Sequence, residues 1–226
     1  MIKCFTFSLA AIIFAVTPFF AQERYVKPVD EANLNPSFAA FRVKLIAAVE
    51  RRDAKHILSI LDPKINLSFG GDQGIADFKS MWKIESKSTQ FWNEFMPIIK
   101  NGGSFFRENG KRTNLFYAPY SFDSFPEDLD AFEHFVIFGS NVNLRESPDS
   151  DSRIVDRLSY NVVKLEADLL GKSGDTGKMG GWRKVKTLGG LSGFVKSEFV
   201  RSPIDYRAGF EKKRGIWKMV AFIAGD

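Results

Sequence analysis

Asn141-Val142-Asn143-Leu144-Arg145-Glu146-Ser147-Pro148 decides how this 226-residue chain is read. Val142 and Leu144 alternate with polar neighbours, the period-2 signature of a half-buried strand. Pro148 then fixes the backbone just beyond it. Further short strand-like segments surround the run. Phe135 to Phe138 precedes it, and Ile154 to Leu158, Val162 to Glu166, Trp182 to Val185 and Gly193-Phe194-Val195 follow, divided by turn-rich segments. Strands this short at this spacing predict a small barrel or sandwich. Gly193 suits a close backbone approach or a bulge, and Trp182, Val185, Phe194 and Val195 are the expected core.

In order and spacing, these elements resemble the bacterial SH3-like (SH3b) domain over about residues 134 to 202. The run at 141–148 is similar to that family's Asn-x-Arg-x-x-Pro opening, and the Trp-x-x-Val and Gly-Phe-Val strands follow in its order. The chain departs from the family in a longer glycine-rich segment, Gly171 to Gly181, and in Phe194, where Trp is more usual. The resemblance implies a small all-β barrel whose members often bind cell-wall peptides and often only orient a neighbouring domain. It also implies an aromatic-rich groove between loops. Tyr160, Trp182, Arg145 and Asp149 are the candidate binding residues there, with Trp182 as core and Tyr160 as a turn residue the competing reading.

Outward from this unit, Tyr206 to Ile223 reads as a β-hairpin with a basic turn, Lys212-Lys213-Arg214-Gly215. An isolated hairpin is marginal, and Phe210, Trp217, Met219 and Phe222 give this one much apolar surface. It is therefore expected to return to the N-terminal domain and complete its sheet. Upstream, Phe38, Phe41, Leu45, Ala48 and Val49 recur at intervals of three and four, one stripe of an amphipathic helix with Pro36 in its first turn. Asp53 caps a second short helix that runs to Pro63. Ile65, Leu67 and Phe69 alternate as a strand, and helices are expected around Phe78 and Phe95. Helices followed by a sheet that ends in a Gly-x-Trp-Lys-Met hairpin are similar to NTF2-like α+β domains.

The expected layout is thus α+β: a signal peptide at 1–21, an α+β domain at 22–133 completed by 204–226, and an SH3b barrel at 134–203. The signal reading rests on Lys3, the apolar stretch Phe5 to Val16, and Ala21 before polar Gln22. Phe19 is an imperfect residue for the cleavage site. A stretch this short falls below the roughly 20 residues of a spanning helix, so a periplasmic or secreted protein is expected, with no transmembrane segment after cleavage. Removal of the single cysteine, Cys4, would leave no thiol for disulfide, metal or nucleophile.

Composition narrows the function classes. Hydrophobic residues are 44% and charged residues 26%, as in ordinary globular chains. Residues 22–133 carry 15 Lys and Arg against 16 Asp and Glu, whereas residues 134–226 carry 16 against 11. The positive excess sits in the second half and favours acidic or carboxylate-ended partners.

Signals for chemistry are weak. His56 reads as a cap or surface residue, and His134 beside Glu133 as a boundary residue, since neighbours on a strand face opposite ways. No Gly-x-Ser-x-Gly elbow occurs, and Gly171-Lys172-Ser173 lacks the first glycine of a phosphate loop. The carboxylates of 127 to 133 read as a solvated loop. No cofactor or nucleic-acid partner is implied. The expected function is a non-enzymatic binding protein that contacts cell-wall peptide or an envelope protein. The alternative is an enzyme or small-molecule binder whose N-domain pocket is lined by Trp82, Trp92, Tyr117 and Tyr120.

Overall fold

The computed structural model describes residues 22–166 and 181–225. The signal reading of residues 1–21, with Cys4, and the glycine-rich segment up to Gly180 lie outside the described residues. Four helices and three strands open the chain: α1 (Pro36–Glu50), α2 (Ala54–Ile60), β1 (Leu61–Asn66), α3 (Gly74–Trp82), α4 (Phe91–Lys100), β2 (Ser104–Glu108) and β3 (Lys111–Ala118). A one-turn helix, α5 (Tyr120–Asp123), then leads into β4 (His134–Ile137), β5 (Val142–Arg145), β6 (Ile154–Leu158), β7 (Val162–Leu165), β8 (Trp182–Thr187), β9 (Ser192–Lys196) and β10 (Val200–Arg201). The chain closes with β11 (Arg207–Lys213) and β12 (Ile216–Ile223).

Local chemistry accounts for the helix starts. Asn35 caps α1 by accepting from the amides of Ser37 and Phe38 at 3.2 and 3.3 Å, with Pro36 behind it. Asp53 caps α2 through the His56 amide at 2.9 Å.

Two sheets result. The first runs β1-β12-β11-β3-β2, so the C-terminal hairpin lies at its centre, antiparallel to β3 and parallel to β1. The hairpin returns as expected, and the class is α+β. The second sheet runs β10-β4-β7-β8-β9-β5-β6, with all its pairs antiparallel. No pairing joins β6 to β10 among the described residues, so the ladder stays open there.

Two expectations need correction. The first strand begins at Leu61, not Ile65, and carries Pro63 within it. β1 is an edge strand, where a missing N–H can face solvent without breaking a ladder. The β2–β3 hairpin was also not foreseen. Asn109 and Gly110, with φ of 50° and 75°, form its turn, the Asn-Gly pair that a tight hairpin favours.

The first core is built from rings. Phe38 of α1 lies 4.3 Å from Phe116, 4.8 Å from Trp217 and 5.6 Å from Phe105, centroid to centroid. Phe91, Phe95, Tyr206 and Phe222 continue the cluster toward Trp82. The second core is aliphatic, with Ile137, Leu144, Leu158, Val163, Val185 and Val195 buried together. Trp182 and Phe194 are not part of it, contrary to expectation, because in-register pairing puts them on the other face of β8 and β9. Gly193 is required here: a Cβ would stand 2.7 Å from the Arg145 carbonyl oxygen.

An N-terminal strap ties the halves together. Glu23 accepts from the Gly189 amide at 2.9 Å, the Val26 amide donates to the Tyr160 carbonyl at 2.8 Å, and Arg24 pairs with Asp128. Further along, Gly103 donates to the Val29 carbonyl at 2.8 Å, Arg42 pairs with Asp30, and Arg107 pairs with Glu31.

The hairpin turn is fastened to β1 by Lys213 and Asp62, 2.8 Å apart. The Lys213 ammonium, helped by the Lys64 amide and outweighing burial, holds the Asp62 carboxyl below its usual range. The pair's contribution is complete above the unfolded carboxylate value of about 3.9, and fades as pH falls through the lower folded value. Asp62→Asn should therefore lower the urea midpoint at pH 7, with the two curves converging toward pH 3 and below. An equal gap at both pH values would contradict the pairing.

Candidate functional site

The second sheet carries a cavity of about 350 Å³ on its outer side. β5 supplies Asn143 and Arg145, the following loop supplies Ser150, β8 supplies Trp182, the end of β9 supplies Lys196, and the β9–β10 connection supplies Glu198 and Phe199.

Trp182 and Lys196 face each other directly in the β8–β9 register, and the Lys196 ammonium lies 5.9 Å from the Trp182 ring centroid. A cation held over an indole face at this range is attracted by about 0.5–1 kcal/mol when exposed. Trp182 is 9% exposed, so one edge of a large ring is presented to the cavity while the rest is covered. Arg145 donates to the Ser152 carbonyl at 2.6 Å, which orients its guanidinium along the loop of residues 146–153. The Arg153 guanidinium, bonded to Glu146 across that loop, holds the Glu146 carboxyl below its ordinary value. Arg145 and Lys196 have no carboxylate partner among the described residues, and neither has Glu198 a cationic one. Two cations without a carboxylate partner among the described residues, beside an aromatic face, can take a carboxylate with its adjoining apolar chain.

The expected site residues therefore separate. Arg145 and Trp182 line one cavity. Asp149 is exposed in the adjoining loop, accepting from the Asp151 amide at 2.8 Å. Tyr160 stands elsewhere, at φ 60°, with its carbonyl bonded to the strap at Val26. Sequence reading missed Lys196, Glu198 and Phe199. Lys196 follows Phe194 by two on an alternating strand, so a shared outer face was readable, but its apposition to Trp182 needs the register.

The four aromatics of the alternative pocket do not converge. Trp82 packs against Phe91, Tyr206 and Phe222 on the helical side of the first sheet. Tyr117 lies on the opposite face, near Phe122. Tyr120 stacks on Phe138, and burial raises its phenol well above the ordinary value. Trp92 borders a separate depression with Arg52, Ile84 and Lys87.

The two histidines stand in different elements, β4 and α2, and His56 keeps a buried Nε2 with no hydrogen-bond partner among the described residues. His134 is buried, its Nδ1 2.8 Å from the Asp130 carbonyl oxygen, while Glu133 turns to Lys164. His56 sits in the first turn of α2, its amide held by Asp53. No group of three metal-ligating side chains occurs among the described residues, and no helix there is long and apolar enough to cross a membrane.

No curated protein matches the chain. The bacterial SH3 domain family model matches residues 140–201, which begin just before β5 and end with β10, and over that stretch the chain carries a bacterial SH3 domain.

Proposed function

We propose that this protein is a non-enzymatic binding protein of the periplasm or cell exterior whose SH3 domain holds the acidic peptide of the cell wall. The observation that carries the reading is the cavity beside Trp182, where Arg145 and Lys196 stand without carboxylate partners among the described residues. Wall stem peptides present carboxylates on a short apolar backbone, the complement of that arrangement. The bacterial SH3 family match and the positive excess of residues 134–226 support the same reading. The signal-like residues 1–21 support the compartment.

The test is calorimetric titration of the whole protein with a soluble stem peptide, Ala-γ-Glu-Lys-Ala. Lys196 is exposed and outside the core, so Lys196→Glu should fold normally. Losing a charge-assisted contact of about 1.5–3 kcal/mol should weaken binding roughly 10- to 100-fold. Raising salt from 0.05 to 0.5 M should weaken the wild type as well. A wild type that ignores the peptide, or a variant that binds it unchanged, would remove the reading. Capture of a protein segment in place of the peptide would reassign the groove to an envelope protein.

A further inference from the structure

A second cavity, about 360 Å³, lies between the two halves of the molecule and shares Glu198 with the first. Its far wall is one face of α4, where Asn93, Glu94 and Pro97 are spaced for neighbouring positions on a helix. Its near wall is the β9–β10 connection with Ser197 and Glu198, and Arg201 and Asp205 border it. The 197–199 turn is thus a low ridge with a cavity on either side.

The wall's strong groups are mostly satisfied. Arg201 donates to the Tyr206 carbonyl at 2.7 Å and is shared between Glu94 at 3.5 Å and Asp205 at 3.8 Å, which leaves the trio with one net negative charge. Arg183, also in the wall, lies over the Phe135 ring at 5.8 Å. Arg183 remains a cation in this wall, and beside it stand hydrogen-bond acceptors. Pro97 has no N–H to give the Asn93 carbonyl one turn earlier, so that oxygen lacks its helical partner. The Ser197 hydroxyl oxygen is buried without a partner among the described residues. Glu198 contributes a carboxylate with no cation on it there.

We propose that the two cavities form one trough and that the inter-half cavity seats a primary ammonium group of the same peptide. This rests on the reading of the first cavity as a carboxylate site. Arg145 and Lys196 take the carboxylate end, and beyond the ridge Glu198, Ser197 and the Asn93 carbonyl take the amine. The helical half then belongs to the recognition surface, and the ligand class is a zwitterionic wall peptide with a free side-chain amine.

The test compares Ala-γ-Glu-Lys-Ala with its Nε-acetyl-lysine form on the full-length protein. The wild type should prefer the free amine about tenfold. Asn93→Lys puts a cation on the far wall, at an exposed helical position whose side chain hydrogen-bonds to Gln90. It should erase the preference for the free amine. Glu198→Gln should also reduce the preference. Equal binding of both peptides by the wild type overturns the ammonium seat but leaves the first cavity's role intact. A preference that survives Asn93→Lys puts the amine elsewhere and overturns the trough. Binding of neither peptide removes both readings together.

Discussion

Truncation after Pro203 should unfold the helical half while the SH3 domain keeps its structure. The deletion removes β11 and β12, the two central strands of the first sheet, and leaves β1 and β3 without the partner that joins them. It also removes Phe210, Met219 and Phe222, each 1% exposed or less. Burying a side chain of this size contributes about 1.5–3 kcal/mol. Three of them approach the roughly 5–15 kcal/mol that holds a whole domain, before Trp217 and Ala208 are counted. Amide hydrogen exchange is the direct measurement. Protection should vanish across α1, α4, β2 and β3 and persist in β5, β8 and β9. Unchanged protection in α1 and β3 would mean that the hairpin is an accessory, not the sheet's centre.

Phe38→Ala carries the largest effect expected of a single substitution. Phe38 is fully buried, and its ring meets those of Phe41, Phe105, Phe116, Phe210 and Trp217. It therefore joins α1 to β2, β3 and both strands of the hairpin. Replacing a buried Phe by Ala costs about 3–5 kcal/mol. At roughly 2–4 °C per kcal/mol for a chain of this size, Tm should fall by roughly 6–20 °C. Phe132, 67% exposed, is the control, and its alanine variant should stay within about 0.5 kcal/mol of wild type. Comparable losses at the two positions would show that the ring cluster is not the centre of stability.

Elements whose partners are local in sequence, or whose own pattern declares a buried face, were legible. The short apolar segments of β4 to β9, divided by turns, and the three-four spacing of α1 needed no knowledge of the fold. The return of the hairpin followed from its apolar load. What was hidden depended on partners distant in sequence. Pro63 reads as a stop, and only its place at a sheet edge makes a strand through it possible. The strap from Glu23 to Glu31 has no periodicity, because its hydrogen bonds go to Gly189, Tyr160 and Gly103. The Asn109-Gly110 turn was in plain view, since that pair favours a tight hairpin whatever its strands pair with. Of the trough, Arg145 and Trp182 were readable. Lys196 required the β8–β9 register, and Asn93 required the packing of α4 against a unit made a hundred residues later.

The pairing of β4 with β10 has a consequence for assembly. Val136 faces Arg201 and Ile137 faces Val200, so the chain enters and leaves the SH3 domain at neighbouring points. From the standpoint of β3 and β11, a folded insert acts as a short tether in place of a long floating loop. Loop-closure entropy grows only with the logarithm of free length, and shortening that length roughly fourfold spares about 1 kcal/mol. The β3–β11 ladder is therefore easier to close once the insert has condensed. The middle of the polypeptide is expected to fold first, and the earliest-made helices to wait for the last-made strands.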